Sequence, residues 1–263
     1  MELSITTDYA NDKGDPSPYL KNIADTGFTH VHWCHQWNTD FLYSKWEIDQ
    51  ISKWLDEYGL KMLDLHGSVG PEKNWYSSKE YERLSGVELV KNRLEMTARL
   101  SGDAVVMHLP SGPISDQMRK SFNELQPVAK QLGVKIALEN GCFESINSAF
   151  AEYDSTFLGL CYDCGHGNHD PDGLDKMDAI KDRLIAIHLH DNDGVKDQHK
   201  LLFSGTINWP RLASLISESA YTKCISMEVS MRNMGIEDEK SFLQSAYEGG
   251  TRFHNMVNGV VES

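Results

Sequence analysis

The sequence predicts one α/β domain, a (β/α)8 or TIM barrel that spans residues 1–263. Three observations predict this class. Short apolar, strand-forming runs alternate with helical patterns along the whole chain, with eight of each kind. Side chains that can ligate metals recur where the apolar runs end. No linker rich in Pro, Gly or Ser divides the chain, whose 263 residues suit a single barrel of this kind.

The strands and helices are predicted in strict alternation. The predicted strands cover residues 3–7, 28–34, 60–66, 104–109, 134–139, 157–163, a run that starts at 184, and 224–229. The predicted helices cover residues 19–26, 45–58, a segment from a capping-box pattern at 77–80 to about 102, then 116–132, 143–153, 174–183, a helix that follows residue 208, and 238–257. This order predicts a parallel sheet with a helix after each strand.

Local signals define the ends of these helices. Gly27, Gly59 and Gly133 each follow a helical pattern and are expected at its C-terminus. Asn208 is expected to cap the next-to-last helix, which has a proline in its first turn. Two interruptions are also predicted: Pro127 should kink or restart the fourth helix, and the two glycines at 249–250 should interrupt the last one.

Six predicted strands end in potential metal ligands. These ligands are His66, His108, Glu139, Asp163 with His166, His188 and Glu228. In a parallel barrel all carboxyl ends of the strands converge on one mouth, so these residues are expected to meet there. At four of these strand ends a small residue lies two positions before the potential ligand. These small residues suit the narrow layer beneath a mouth, and they are Ala137, Cys161, Ala186 and Ser226. The pattern predicts one shared site.

Carboxylates at the ends of apolar strands predict a bound metal ion. Burying Glu139 or Glu228 without a partner would cost several kcal/mol. Salt bridges to Lys or Arg are the competing explanation, but few basic residues flank these strands. Mixed carboxylate and imidazole ligands suit Zn²⁺, Mn²⁺ or Co²⁺. We therefore expect a divalent metal.

Composition limits the partners and the compartment. The formal charge of −14 and the absence of a Lys/Arg cluster disfavour a nucleic-acid substrate. No apolar run approaches the roughly 20 residues of a membrane span, and the start of the chain lacks the features of a secretion signal. Five cysteines without a dense framework fit reduced thiols, so a cytoplasmic protein is expected. Cys161 and Cys164 have redox-pair spacing, but Cys161 lies inside a predicted strand, which argues against a redox function.

Five short strings resemble those of the xylose isomerase-like TIM barrel superfamily. They are IALEN around Glu139, CYDCGH from Cys161 to His166, IHLHD around His188, DQH from Asp197 to His199, and MEVS around Glu228. The superfamily contains sugar isomerases and epimerases, hydroxypyruvate isomerase and apurinic endonucleases of the endonuclease IV type. The resemblance covers nearly the whole chain, but it is far less specific for one reaction than for the superfamily.

Resemblance to the isomerase and epimerase branch implies a site for one ion. The ligands would be Glu139, Asp163, His188 and Glu228, and His166 would contact the substrate. In those enzymes the two glutamates lie on opposite faces of a sugar, and a proton is moved at a carbon next to a carbonyl through a metal-stabilised enediolate. Glu139 and Glu228 would be the catalytic acid and base.

Resemblance to the endonuclease IV branch implies more metals. That branch adds ligands at the positions of His66, His108, His166, Asp197 and His199, so that three zinc ions could bind and Glu139 could bridge two of them. The loops expected at the mouth of the barrel are nevertheless mostly polar or acidic. This composition disfavours binding to the phosphates of DNA. The alternative function is therefore a multinuclear zinc hydrolase that acts on a small phosphoester or glycoside-like substrate.

The preferred prediction is a metal-dependent isomerase or epimerase of a carbohydrate-like small molecule. A metal-binding barrel without catalysis is the third and least favoured class. The candidate substrate-binding residues are Trp33, Trp37 and Trp75, which could stack on a sugar or serve the structure, together with His190, Lys196 and Arg232. A homo-oligomer is compatible with the sequence.

Overall fold

The eight predicted strands form one parallel sheet. A computed structural model describes residues 1–38, 42–67 and 74–260. The strands are β1 (Leu3–Thr6), β2 (His30–Trp33), β3 (Lys61–His66), β4 (Ala104–Met107), β5 (Lys135–Glu139), β6 (Leu158–Asp163), β7 (Leu184–His188) and β8 (Ile225–Met227). Their order in the sheet is β7-β6-β5-β4-β3-β2-β1-β8, and each neighbouring pair is parallel.

The two edges of this sheet meet just after β7. The backbone N–H of Leu189 donates to the carbonyl of Ser226 at 3.1 Å, and the N–H of Glu228 donates to the carbonyl of Leu189 at 3.0 Å. These bonds nearly close the sheet into a barrel and place the residues that follow β7 and β8 side by side. The predicted (β/α)8 TIM barrel is confirmed.

Helices pack around the outside of the barrel. They are α1 (Ser17–Thr26), α2 (Lys45–Tyr58), α3 (Glu80–Arg99), α4 (Asp116–Leu132), α5 (Phe143–Glu152), α6 (Cys164–Asn168), α7 (Gly173–Ile180), α8 (Trp209–Ser217) and α9 (Glu239–Val257), with short 3₁₀ turns at Lys181–Arg183 and Met231–Asn233. Across the described ranges, every helix is too short or too polar to cross a bilayer.

Most of the predicted helix ends agree with the structure. Gly27, Gly59 and Gly133 close α1, α2 and α4 with φ values of 108°, 68° and 69°, a left-handed conformation that favours glycine. The side chain of Asn208 accepts a hydrogen bond from the N–H of Arg211 and so caps α8, as predicted.

Two local predictions were wrong, and the restart considered at Pro127 does not occur. Helix α4 continues through Pro127 without a restart, and α9 continues through the glycines at 249–250. Gly250 instead permits close packing, because a Cβ there would lie 2.6 Å from Cε of Met227. The capping box at 77–80 does not form: Ser77 Oγ accepts from the N–H of Lys79 and donates to Glu82, and α3 begins at Glu80. Tertiary contacts override these local signals.

The barrel interior contains the layer of small side chains that the sequence predicted. Ala137, Cys161 and Ala186 form one buried cluster together with Ala104 and Val106. The larger apolar core lies between the sheet and the surrounding helices. The small layer leaves room above it, at the carboxyl ends of the strands, for the polar side chains of the mouth.

Candidate functional site

Four buried ligands meet at the carboxyl ends of β5 to β8. Glu139, Asp163 and His188 are the last residues of β5, β6 and β7, and Glu228 directly follows β8. Their exposed fractions are 2 %, 0 %, 0 % and 8 %. One ligand atom from each residue lies within 4.8 Å of the other three. The structure therefore brings the four residues predicted for a single ion into one group, which we call the principal group.

A second group shares Glu139 with the principal group. His66 ends β3 and His108 follows β4, and their Nε2 atoms lie 3.5 Å and 3.1 Å from Oε2 of Glu139. The same two nitrogens are 3.3 Å apart. His66, His108 and Glu139 thus form a histidine-rich group beside the principal group.

A third group lies in the loop after β7. Oδ2 of Asp197 lies 3.1 Å from Nε2 of His199 and 3.5 Å from Nε2 of His166. His166 also links to the principal group, because its Nδ1 is 3.1 Å from Oε1 of Glu139. All five residues that the sequence assigned to a multinuclear site therefore adjoin the principal group.

His190 is held next to the principal group. Its Nε2 lies 3.0 Å from Oδ2 of Asp163, and its ring stacks on that of His199 at a centroid distance of 4.0 Å. The residue is 0 % exposed. The side chain of Asp163 also accepts a hydrogen bond from the N–H of His166 at 2.6 Å and begins helix α6, which the sequence analysis missed. Both contacts orient Asp163.

The carboxylates of the principal group are ionised in the metal-free protein. Burial opposes ionisation of Glu139, but the imidazoles of His188, His108 and His166 outweigh it and hold the pKa of Glu139 well below its ordinary value. Burial likewise opposes ionisation of Glu228, yet His188 holds the pKa of that carboxyl well below its ordinary value. The principal group therefore concentrates negative charge, and its carboxylates form ion pairs with histidines.

Histidines near the mouth carry the compensating protons. Burial disfavours the charge on His166, but Asp197 and Glu139 raise the pKa of His166 to about 11. Burial also disfavours the charge on His199, and Asp197 and Glu228 raise the pKa of His199 to about 10. Protons therefore balance the carboxylates where a cation is not bound.

The principal group fits a divalent ion. Oε2 of Glu139 and Nδ1 of His188 are buried, and among the described residues they lie at ion-pair distance from neighbouring site groups without making a well-aligned hydrogen bond. Such atoms are costly to desolvate unless they ligate a cation. Three carboxylates and one imidazole form a donor set that suits Zn²⁺, Mn²⁺ or Co²⁺.

Two of the three predicted stacking tryptophans lie inside the protein. Trp33 is 1 % exposed and its Nε1 donates to the hydroxyl of Tyr43 at 3.0 Å. Trp75 is 3 % exposed and packs edge-on against Phe122. Trp37 is only partly buried, and it packs near the rings of Trp46 and Trp54 in the segment after β2. Trp37 is thus the one of the three whose ring remains partly accessible.

The two predicted cations lie at the rim. Lys196 is exposed in the loop after β7, where its N–H donates to Asp193 at 2.9 Å. Arg232 follows β8 and pairs with Asp12 at 3.1 Å, and its side chain is 57 % exposed. Both of these contacts lie at the rim rather than at the principal group.

A buried His–Asp pair beneath the site was not identified from the sequence. Nδ1 of His32 lies 2.7 Å from Oδ1 of Asp64, and both residues are 0 % exposed. Burial opposes ionisation of Asp64, but the hydrogen bond with His32 keeps the pKa of Asp64 below its ordinary value. Side chains alternate between the two faces of a strand, so Asp64, two residues before His66 in β3, is expected to point into the barrel as His66 does. This alternation could have identified Asp64 from the sequence.

Comparison with known families and curated proteins finds relatives along most of the chain. The sequence profile of the family described as "Xylose isomerase-like TIM barrel" matches residues 20–246. An uncharacterized protein, y4fM of Sinorhizobium fredii, is 29 % identical over 275 residues, which cover 90 % of this chain and 88 % of that protein.

Solved structures share the architecture of this chain. A D-tagatose 3-epimerase-like protein superposes with a TM-score of 0.82 at 22 % identity, and the match covers all of both chains. The IOLI protein, solved with a bound zinc atom, superposes with a TM-score of 0.76 at 15 % identity and also covers all of both chains. At these identities the likeness establishes the fold.

Proposed function

We propose that this chain, which belongs to the xylose isomerase-like TIM barrel family, is a divalent-metal-dependent isomerase or epimerase of a sugar or sugar derivative. The observation that carries the proposal is the principal group, in which Glu139, Asp163, His188 and Glu228 approach within ligand distance at the mouth. Two proteins of similar structure, the D-tagatose 3-epimerase-like protein and the IOLI protein with its bound zinc atom, support the same chemistry.

The four residues of the principal group would hold one ion of Zn²⁺, Mn²⁺ or Co²⁺. When bound, the ion supplies positive charge that stabilises negative charge on the substrate oxygens. The two glutamates flank the position of His188: Nδ1 of that ring lies 2.9 Å from Glu228 and 3.5 Å from Glu139. Two carboxylates on either side of one centre are suited to proton transfer on the two faces of a substrate.

Two carboxyl groups, one acting as base and the other as acid, would carry the proton transfer at carbon. One glutamate removes the proton from the carbon next to a carbonyl, which leaves an enediolate, and the other glutamate, after taking up a proton from solvent, returns a proton to carbon and becomes ionised. An epimerase returns it to the opposite face of the same carbon, whereas an isomerase returns it to the neighbouring carbon and also moves a proton from the hydroxyl oxygen to the former carbonyl oxygen. No redox partner is required, since the substrate and product have the same composition.

Other mouth residues would position the substrate. The side chain of His166 is 23 % exposed and lies 3.1 Å from Glu139, so it can donate to a substrate oxygen beside the catalytic carboxylate. Trp37 is the favoured stacking ring, because Trp33 and Trp75 are buried in the core. We propose that His190 acts through Asp163 and that Lys196 and Arg232 act only at the rim.

The test of this proposal is solvent deuterium incorporation. The metal-loaded chain is incubated in D₂O with a panel of ketoses, and proton NMR follows exchange at the carbons next to the carbonyl. Incorporation that disappears in Glu139→Gln and Glu228→Gln supports the proposal. A folded, metal-loaded chain that exchanges no carbon-bound proton in any member of a broad ketose panel would contradict it.

A second candidate is a multinuclear zinc hydrolase of the endonuclease IV type. The observation that favours it is the second group, in which His66 and His108 approach Glu139 at 3.5 Å and 3.1 Å. His166, Asp197 and His199 would supply a third site. Metal analysis distinguishes the candidates: one ion per chain favours the isomerase, whereas three zinc ions with hydrolysis of a small phosphate ester favour the hydrolase.

The class of substrate, the compartment and the domain organisation are also proposals. The site would take a small carbohydrate-like molecule, and the net charge of −14 continues to disfavour nucleic acid. All five cysteines are free thiols, which supports a reducing compartment such as the cytoplasm. We propose that residues 1–263 form one domain.

A further inference from the structure

A fully buried imidazole–carboxylate pair lies against the principal group. His32 and Asp64 are register partners in the β2–β3 ladder, where the register shifts between Val31 and His32. Both side chains are 0 % exposed, and they lie 2.7 Å apart. Neither has a role in the mechanism proposed above. A buried pair of this kind is costly to desolvate, so its place beneath a candidate metal centre calls for a function.

Asp64 determines which nitrogen of His32 carries a proton. An ionised carboxylate only accepts hydrogen bonds, so Nδ1 of His32 donates to Asp64. Within the described residues, Nε2 of His32 and Oδ2 of Asp64 have no hydrogen-bond partner. The ring of His32 is therefore held at one end by Asp64, with its other nitrogen free of competing bonds.

The held ring of His32 lies directly against the ring of His188. The two ring centroids are 4.4 Å apart and the planes are inclined by 62°, an edge-to-face contact. His32 also lies edge-to-face with His66 at 5.9 Å. His188 is 0 % exposed, so the contact with His32 limits the rotation of a ring whose Nδ1 faces both glutamates.

We propose that His32, held by Asp64, is a positioning residue that fixes the orientation of the ligand His188. The inference rests on the proposed function only in taking His188 as a metal ligand. For Nδ1 of His188 to ligate, its proton must be on Nε2, an atom without a hydrogen-bond partner in the described chain. The edge-to-face contact with the ring of His32, which is itself held by Asp64, limits rotation of the His188 ring and so keeps its Nδ1 directed at the glutamates. Partners outside the ligand set commonly orient ligating histidines in this way.

The test measures metal affinity in the metal-stripped full chain. Zn²⁺ is titrated by calorimetry, and the visible absorption spectrum of the Co²⁺-loaded chain reports ligand geometry independently of activity. Asp64→Asn keeps the shape of the pair but removes its charge, and His32→Asn removes the ring. Each variant is expected to bind Zn²⁺ about 10- to 100-fold more weakly, with one ion still bound at the principal group and an altered Co²⁺ spectrum.

His30→Asn is the matched control. His30 precedes His32 by two residues in the same strand and is partly buried, and its Nδ1 contacts Thr29 rather than the principal group. This variant is expected to retain the affinity and the spectrum of the unsubstituted chain. Circular dichroism and thermal melting of the metal-free proteins establish folding. If His32→Asn does not fold, Asp64→Asn carries the test, because it is nearly isosteric.

Three results would overturn the inference. Affinities within about twofold of the unsubstituted chain, with an unchanged Co²⁺ spectrum, would show that the pair does not position His188. A ring nitrogen of His32 also approaches Cys34 and Glu228 within 4.8 Å. Loss of one bound ion in His32→Asn would therefore make His32 a ligand instead. Equal binding by the unsubstituted chain and His188→Ala would refute the metal assignment itself.

Discussion

Oε2 of Glu228 lies 2.9 Å from Nδ1 of His188, at the place where the two edges of the barrel sheet meet. Glu139 approaches the same nitrogen at 3.5 Å. Burial disfavours charge on His188, but Cys161, Glu228 and Glu139 raise its pKa well above the ordinary value. In the metal-free protein a proton on this ring therefore compensates both carboxylates, and a divalent ion would compete with that proton.

Replacing either glutamate should remove turnover. Glu139→Gln and Glu228→Gln keep the side-chain shape but abolish the base, and each is expected to lower kcat by at least about 100-fold. Steady-state kinetics on the ketose identified by deuterium exchange provide the measurement. Glu144→Gln, on the exposed first turn of α5, is the control and should leave kcat unchanged. Rates near that of the unsubstituted enzyme in either site variant would refute the assigned role.

Replacing the histidines of the second group should have a milder effect. If one ion is used, His66→Ala and His108→Ala retain one bound metal per chain and should lower kcat less than the glutamate variants do. Metal content by mass spectrometry and kcat are measured together, with His254→Ala, a partly buried histidine on α9, as the control. A loss of zinc ions together with complete loss of activity would instead favour the multinuclear hydrolase.

The metal-free protein should lose stability as the pH rises. His166 and His199 have pKa values of about 11 and about 10 in the folded chain, against about 6.5 when unfolded. The folded state therefore binds more protons above pH 6.5, so the stabilisation is fully present below about pH 6.5 and is lost as the pH rises toward about 10. Urea unfolding of chelator-treated protein measures this trend.

The double variant His166→Asn with His199→Asn provides the control for the pH series. Its free energy of unfolding should change less between about pH 6.5 and about pH 9 than that of the unsubstituted chain. Saturation with a divalent ion should also flatten the trend, since the ion replaces the protons. A free energy of unfolding that rises over this range in the metal-free protein would be inconsistent with the ion pairs described.

A single added methyl group should disturb the site from beneath. A Cβ at Gly165 would lie 2.6 Å from Nε2 and 2.7 Å from Nδ1 of His190, which orients Asp163. Gly165→Ala should destabilise the fold by about 1–3 kcal/mol through overpacking and should weaken metal binding. Gly141→Ala is the matched control, because a Cβ at Gly141 meets nothing within 4 Å. Equal melting temperatures and metal affinities in the two variants would contradict the prediction.

The sequence by itself determined the barrel and the types of side chain at its mouth. Apolar runs that alternate with helical patterns define eight β/α units, and the period of two along each strand indicates which residues point inward. This parity predicts that Glu139, Asp163, His188 and Glu228 face the mouth, and the resemblance to the superfamily implies that these four form one ligand set. The parallel strand order then requires the ends of β5 to β8 to share one mouth.

Only the tertiary structure decided which of these residues touch each other. Glu139 contacts His66 and His108 because β3, β4 and β5 are neighbours in the sheet, and sequence spacing does not give the distances between their side chains. The burial of Trp33 depends on its packing with Tyr43. His32 meets Asp64 because the register shifts within β2, and that shift is set by contacts between strands rather than by the residues of either strand alone.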